Sequence, residues 1–408
     1  MYDTGQEAPR CILVGRKTGR EETSSLPELS LLVEELGYIP ETILSFPLRT
    51  PERKFLFGPG QAEVVAREAR MRGIELVVFD EDLTPAQQRN WEHLVKSRVM
   101  DRTEVIIEIF SRHARTKQAQ LQTEKARLEY LLPRLRGAWS HLDRQRGGAR
   151  GTRGEGERQI ELDRRMILSR LARIRREMEA IERHQTTTRS RRLEAGIPRV
   201  SLVGYTNAGK SSLFTRLTGQ AVRIQDRPFV TLDTTTRTCL IPGWGRVVVS
   251  DTVGFIQHLP HTLVDAFHAT LEEVRDAHLL LEVVDLSSPN LLLHLSTTEE
   301  VLTEIGAHHI PRIRVYNKAD RSSPHPLLPP SDHPEILVSA KTGEGIEGLL
   351  SLIVREMERH YPIETLELPY HRLGESHEVL SRAVIIHQEY TDVGLFVRYA
   401  PSVPSVHE

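Results

Sequence analysis

Gly204-Tyr205-Thr206-Asn207-Ala208-Gly209-Lys210-Ser211 is the stretch that decides how this chain reads. It fits the pattern Gly-x-x-x-x-Gly-Lys-Ser/Thr. It follows the strand-like run Val200 to Val203 and opens a helix-like run from Ser212 to Leu217. Strand, glycine loop and helix in that order are the context the pattern requires. Backbone amides of the loop and the helix N-terminus point at phosphates, with Ser212 in the same first turn. Lys210 adds a positive charge and the Ser211 hydroxyl reaches Mg²⁺. The motif specifies a nucleotide on an α/β sheet and leaves the base open.

Asn317-Lys318-Ala319-Asp320 narrows the base to guanine. It follows the apolar run Ile313 to Tyr316, at the C-terminal end of a strand, where open α/β sheets place ligands. A carboxylate there accepts from the N1–H and the exocyclic amine of guanine. Adenine lacks that donor pair and would leave Asp320 unpaired. The aliphatic stem of Lys318 lies along the ring. Ser339-Ala340-Lys341, after the strand Ile336 to Val338, offers a backbone N–H to guanine O6.

Asp251-Thr252-Val253-Gly254 follows the strand Val247 to Ser250 and supplies an aspartate for Mg²⁺ and a glycine amide for the γ-phosphate. Between it and the loop lies Phe229-Val230-Thr231-Leu232-Asp233-Thr234-Thr235-Thr236-Arg237. A threonine of this segment is expected to bring its hydroxyl to Mg²⁺ when the γ-phosphate is present. Thr231 is the choice among Thr231, Thr234, Thr235 and Thr236, the later of which also suit the start of the next strand. Phe255 stands where a water-orienting glutamine often follows this glycine, so intrinsic hydrolysis is expected to be slow. Asn207 is read two ways: as a ligand to a potassium ion that neutralises charge, or as a loop asparagine capping its own backbone. Lys210, Thr231, Gly254 and Asn207 are thus the candidate catalytic residues, and Ser211, Thr231 and Asp251 the candidate metal ligands.

The chain has 408 residues and a net charge of −2, enough for two to four domains with ample core. Two distant cysteines, Cys11 and Cys239, exclude a disulfide framework and suit a reducing compartment. No apolar run approaches a membrane span, and the N-terminus lacks a secretory signal, so a cytoplasmic or membrane-peripheral monomer is expected. Residues 1–111 alternate strand-like and helix-like runs, as in a small α/β domain: Cys11 to Val14, Leu26 to Leu36, Gln61 to Arg72, Glu75 to Phe79. Gly58-Pro-Gly60 reads as a turn before a helix. Residues 196–360 read as an α/β P-loop domain, a mostly parallel sheet with helices on both faces. Residues 361–408 read as a small α/β tail with a helical stretch near Glu375 to Ala383 and strands at Val384 to Ile386 and Gly394 to Tyr399.

Residues 112–195 stand apart. From 112 to 192 there are 22 Lys and Arg against 10 Asp and Glu. Two helical runs, roughly Gln118 to Leu132 and Ile160 to Ile181, flank the loop Arg144 to Gly156 and predict an antiparallel hairpin. The second carries apolar residues at Leu162, Met166, Leu171, Ile174, Met178 and Ile181 near helical spacing. A one-signed charge concentrated in a glycine-arginine loop points to RNA.

Taken together, the chain resembles the HflX family of translational GTPases over about residues 50–360. The resemblance rests on residues 204–211, Thr231 to Arg237, Asp251 to Pro260, and Ala266 to Glu273. Upstream, Asp101 to Phe110 and Gly151 to Glu157 make it specific. It implies a GTP- and GDP-binding, ribosome-associated hydrolase that binds the large subunit, with the hairpin and N-terminal domain reaching rRNA. It further implies ribosome-stimulated hydrolysis and the splitting or rescue of ribosomes under stress. A GTP-dependent RNA-binding scaffold in large-subunit assembly is the alternative. Glu155 and Thr234 stand where the family usually has proline, and Ser212 where it commonly has threonine.

Overall fold

The computed structural model describes residues 8–17, 25–135, 153–194, 197–219, 235–257, 268–321, 328–361, 363–375 and 383–400. These fall into two compact units that divide between Glu179 and Ala180.

In the first unit, Cys11, Ile12, Leu13 and Val14 are wholly buried, as a strand covered on both faces must be. They form β1 (Arg10–Arg16), which pairs with β2 (Ile39–Phe46) and β3 (Leu76–Phe79); β4 (Arg98–Asp101) joins β3. The order is β2-β1-β3-β4, all parallel. Parallel neighbours need crossovers. α1 (Leu26–Glu35), α2 (Pro59–Arg72) and α3 (Pro85–Val95) supply them, and α4 (Arg102–His113) follows β4. Gly58 is the turn before α2, its N–H donated to Gln61 Oε1 at 2.9 Å. Thr84 caps α3 by accepting from Gln87 N, and Pro85 follows at the first helical position, a strong start signal.

At the carboxyl ends of β3 and β4 the charges are paired internally. Arg102, 1 % exposed, donates to Asp80 Oδ1 at 2.6 Å and to Glu28. Asp101 accepts from Glu104 N at 2.9 Å, Tyr130 Oη at 3.0 Å and Arg134 Nη2 at 3.0 Å.

α5 (Lys117–Leu131) packs on α6 (Arg153–Glu194). Arg170 forks onto Glu124 with bonds of 2.7 and 2.6 Å, and Lys117 meets Glu177 at 3.3 Å, pairings that run in opposite senses along an antiparallel pair. Leu171 and Ile174 are buried there, whereas Leu162 and Met166, 52 % and 70 % exposed, lie off that face. The buried stripe is thus shorter than the apolar spacing implies, and the helix longer. α6 has 42 residues, about 63 Å at 1.5 Å per residue, and takes in Gly154 and Gly156. The rest of the basic loop, 144–152, lies outside the described residues.

The second unit holds β5 (Arg199–Val203), α7 (Lys210–Thr218), β6 (Thr235–Ile241), β7 (Gly245–Asp251), α8 (His268–Arg275) and β8 (Leu279–Asp285). α9 (Leu291–Glu304), β9 (Arg312–Asn317), β10 (Glu335–Leu337) and α10 (Ile346–His360) follow. The sheet order is β10-β9-β8-β5-β7-β6, parallel except for β6 against β7. Registers Leu202↔Asp251, Val203↔Glu282 and Asp285↔Asn317 bring the ends of four strands to one edge.

β11 (Glu364–Pro369), β12 (Val384–Thr391) and β13 (Gly394–Ala400) make a third, antiparallel sheet in the order β11-β13-β12. β12 and β13 contain the two expected strands, and β11 is an addition. Among the described residues the tail has a 3-10 turn, Tyr370–Glu375, and no α-helix; 376–382 lie outside them. Register slips between Ile385 and His387, and Ile386 joins Ala400 in the core around Trp244 and Val247.

Candidate functional site

The phosphate loop leaves β5 at the centre of the six-stranded sheet and returns into α7. Gly209 has φ +92°, and a Cβ there would stand 2.2 Å from Asn317 Nδ2, so only glycine fits. Asn207, exposed, has φ +58°, a left-handed conformation that asparagine tolerates. That conformation is compatible with either reading of the loop asparagine.

Lys210 is buried and donates to Gly204 O at 2.9 Å and Tyr205 O at 2.8 Å. Burial pushes its ammonium down to about 8, with Asp251 opposing. Ser211 Oγ donates to Asp251 Oδ2 at 2.6 Å. Two oxygen donors side by side at a helix N-terminus suit a hard cation such as Mg²⁺. Thr252, wholly buried, donates to Leu202 O at 2.6 Å and fixes the end of β7 against β5. Val253 is buried beside it, and Ser212 follows Ser211 in α7. Of the competing threonines, Thr235 and Thr236 begin β6, and Thr236 Oγ1 donates to Glu273 Oε2 at 3.0 Å. Phe229, Val230, Thr231, Leu232, Asp233 and Thr234 lie outside the described residues.

The loops at 317–320 and 339–341, expected to read the base, are tied to the phosphate loop by the Asn317 side chain. Asn317 Nδ2 donates to Ala208 O at 2.9 Å, and Asn317 Oδ1 accepts from Ala340 N at 3.0 Å. Asp320, exposed at the rim, accepts from Ser339 Oγ at 2.6 Å, the chief cause holding its carboxyl below the usual range. Ala319 N bonds Val338 O at 3.1 Å, joining the two loops again, and Lys341 is exposed.

Three residues outside every motif complete the site. Asp285, at the end of β8, accepts from Lys318 Nζ at 2.7 Å and so fixes the stem expected along the guanine ring. The run Leu279 to Asp285, ending in a carboxylate at the ligand edge, was a usable signal. Arg216 of α7 donates to Ala340 O at 3.2 Å and Lys341 O at 2.7 Å. His294 of α9 stacks on Tyr205, ring centroids 3.8 Å apart and planes 12° apart. Neither carries a sequence signal.

Comparisons with known proteins point to one family. Family models match along the chain: the GTP-binding GTPase N-terminal region over residues 23–111, the GTP-binding GTPase middle region over 113–192, and the 50S ribosome-binding GTPase model over 199–318. GTPase HflX of Caldanaerobacter subterraneus is 37 % identical over 98 % of this chain and 92 % of its own. GTPase HflX of Magnetococcus marinus is 46 % identical over 88 % and 84 %, and that of Escherichia coli 40 % identical over 90 % and 87 %. Among solved structures, SsGBP in complex with GDP aligns with 86 % of this chain and 99 % of its own, at 25 % identity and a TM-score of 0.47. The resemblance read from residues 50–360 thus extends over nearly the whole length, and no described helix is long and apolar enough to cross a membrane. The phosphate-loop motif and the relatives matched over nearly the whole length agree: the chain belongs to the HflX family of GTPases, and it is a GTP-binding, GTP-hydrolysing enzyme.

Proposed function

We propose that this GTPase is a conformational switch that docks on the large ribosomal subunit and splits or rescues ribosomes under stress. The observation that carries the reading is a net surplus of 12 positive charges over residues 112–192, in one chain with a guanine site. The match of residues 199–318 to the 50S ribosome-binding model supports it. In this reading the chain has four parts, 1–111, 112–195, 196–360 and 361–408, and the second reaches rRNA through its basic loop.

Lys210 holds the phosphates, and the Gly254 N–H meets the γ-phosphate. Ser211, Asp251 and Thr231 would hold Mg²⁺, which when bound would supply positive charge against the phosphates. Asn207 is the residue that would hold K⁺. Phe255 is 2 % exposed and apolar, so it cannot orient water, and hydrolysis stays slow until the ribosome completes the site. Release of the protein follows hydrolysis.

Co-sedimentation with separated subunits in GDP and in a non-hydrolysable GTP analogue tests this. Large-subunit binding is expected with the analogue and loss of it with GDP, together with faster GTP turnover on ribosomes. Absence of stimulation favours the assembly scaffold. Neutralising Arg144, Arg146, Arg150 and Arg153 is expected to weaken ribosome binding and flatten its salt dependence while leaving free turnover intact.

A further inference from the structure

Residues 254–257 are docked on the phosphate loop. Tyr205 and Phe255 form a parallel bridge: Phe255 N donates to Gly204 O at 3.1 Å, and Thr206 N donates to Phe255 O at 2.8 Å. Gln257 N donates to Tyr205 Oη at 3.0 Å. Phe255 and Ile256 are 2 % and 1 % exposed, so the docked segment is a packed element. Gly254 is pressed in close: a Cβ on it would lie 2.8 Å from Thr206 Cα and 3.0 Å from Lys210 Nζ. The backbone at Gly254 therefore takes up the space beside the ammonium that a γ-phosphate must approach.

Tyr205 makes this docking through both ends of its side chain. Its hydroxyl holds Gln257 N, and its ring lies flat on the imidazole of His294. His294 sits in the first turn of α9, and burial keeps it neutral, so a flat uncharged face supports the tyrosine. Asp285 and Lys318 lie near it from the sheet edge. The stack joins the phosphate loop to a helix that contains no motif of the site.

A diphosphate needs only the loop amides and Lys210. A triphosphate needs Gly254 withdrawn to present its N–H, and that motion breaks the bonds at Thr206, Gly204 and Tyr205. A ligand shifts such an equilibrium only by its differential affinity for the two arrangements. We propose that Tyr205, seated on His294, is a positioning residue that holds segment 255–257 on the phosphate loop and so biases the site toward GDP over GTP. His294 acts through Tyr205 and touches neither nucleotide nor metal.

Tyr205→Phe removes the hydrogen bond to Gln257 N from the docked arrangement. It is expected to raise the affinity for a non-hydrolysable GTP analogue relative to GDP by roughly two- to tenfold, the worth of one neutral hydrogen bond. His294→Ala removes the platform and shifts the ratio in the same direction. His294→Phe keeps a flat ring and restores the ratio of the unaltered protein. Titration calorimetry of the full chain with GDP and with the analogue reads all three. A merely structural role would lower both affinities together and give no rescue by phenylalanine. Equal losses for the two nucleotides, an unchanged ratio in Tyr205→Phe, or a shift toward GDP would overturn the proposal. Should His294→Ala fail to fold, Tyr205→Phe and His294→Phe carry the test between them.

Discussion

The two parallel sheets of this protein use the same edge for opposite ends. In the four-stranded sheet, the charges beyond β3 and β4 neutralise one another: Arg102 with Asp80 and Glu28, Asp101 with Arg134. In the six-stranded sheet, the corresponding edge carries glycine-bearing loops, one buried lysine and an oxygen pair. Parallel strands with helices on both faces make ligand sites easy to build at their carboxyl ends. The first sheet shows that the position alone does not make one. Where Glu28 of α1, Arg102 of α4, Tyr130 of α5 and Arg134 tie down Asp80 and Asp101, the edge becomes a structural joint.

Breaking the joint should cost the most. Arg102→Ala leaves Asp80 and Glu28 facing each other in a buried place, and a loss of about 3–5 kcal/mol is expected. Chemical denaturation followed at the first unit measures it, while GDP binding by the second unit persists. If GDP binding fell equally, the two edges would not be independent. Lys210→Ala should do the reverse, lowering nucleotide affinity on the order of 100-fold with little change in the melting of the first unit. In the unaltered protein, phosphate affinity should also decline as pH rises past about 8, where Lys210 loses its proton.

A smaller effect comes from acid. His278 is buried, and burial holds its imidazole down to about 3. Its folded value lies below the unfolded one, near 6.5. The unfolded chain therefore takes the proton first, and stability present above pH 6.5 is lost as pH falls toward 3. About 2 kcal/mol should go between pH 6.5 and 5, and His278→Gln should flatten that slope in urea titrations. The smallest expected change is Asp285→Asn, which frees Lys318 and should weaken GDP binding by roughly fivefold, about 1 kcal/mol. A loss of selectivity against ADP in the same variant would sharpen the assignment of Asp285 to base recognition.

The nucleotide edge was legible because its chemistry restricts residue types. Gly209 has no alternative beside Asn317, and Lys210 and Asp320 are charges of the sign expected for phosphate and guanine. What stayed hidden depends on contacts across long separations. Arg216 meets residues 124 and 125 positions away, and His294 meets Tyr205 from another helix. β2 reads poorly because Ile39-Pro-Glu-Thr42 puts a proline and polar residues in an edge strand, which proline permits there. α6 runs through Gly154 and Gly156, each costing about 1 kcal/mol against alanine, and helix-forming arginines and glutamates on either side outweigh them. Leu162 and Met166 match the spacing in the sequence by coincidence of neighbours, since the buried face follows Leu171 and Ile174.

The third sheet has a practical consequence. Ile386 and Ala400 share one hydrophobic cluster with Trp244, Val247, Leu349 and Met357. A recombinant fragment ending at His360 would strip Tyr361, Ile363, Ile386 and Ala400 from that cluster, however complete its nucleotide motifs. Anyone trimming this enzyme to a minimal hydrolase should keep the chain through Ala400.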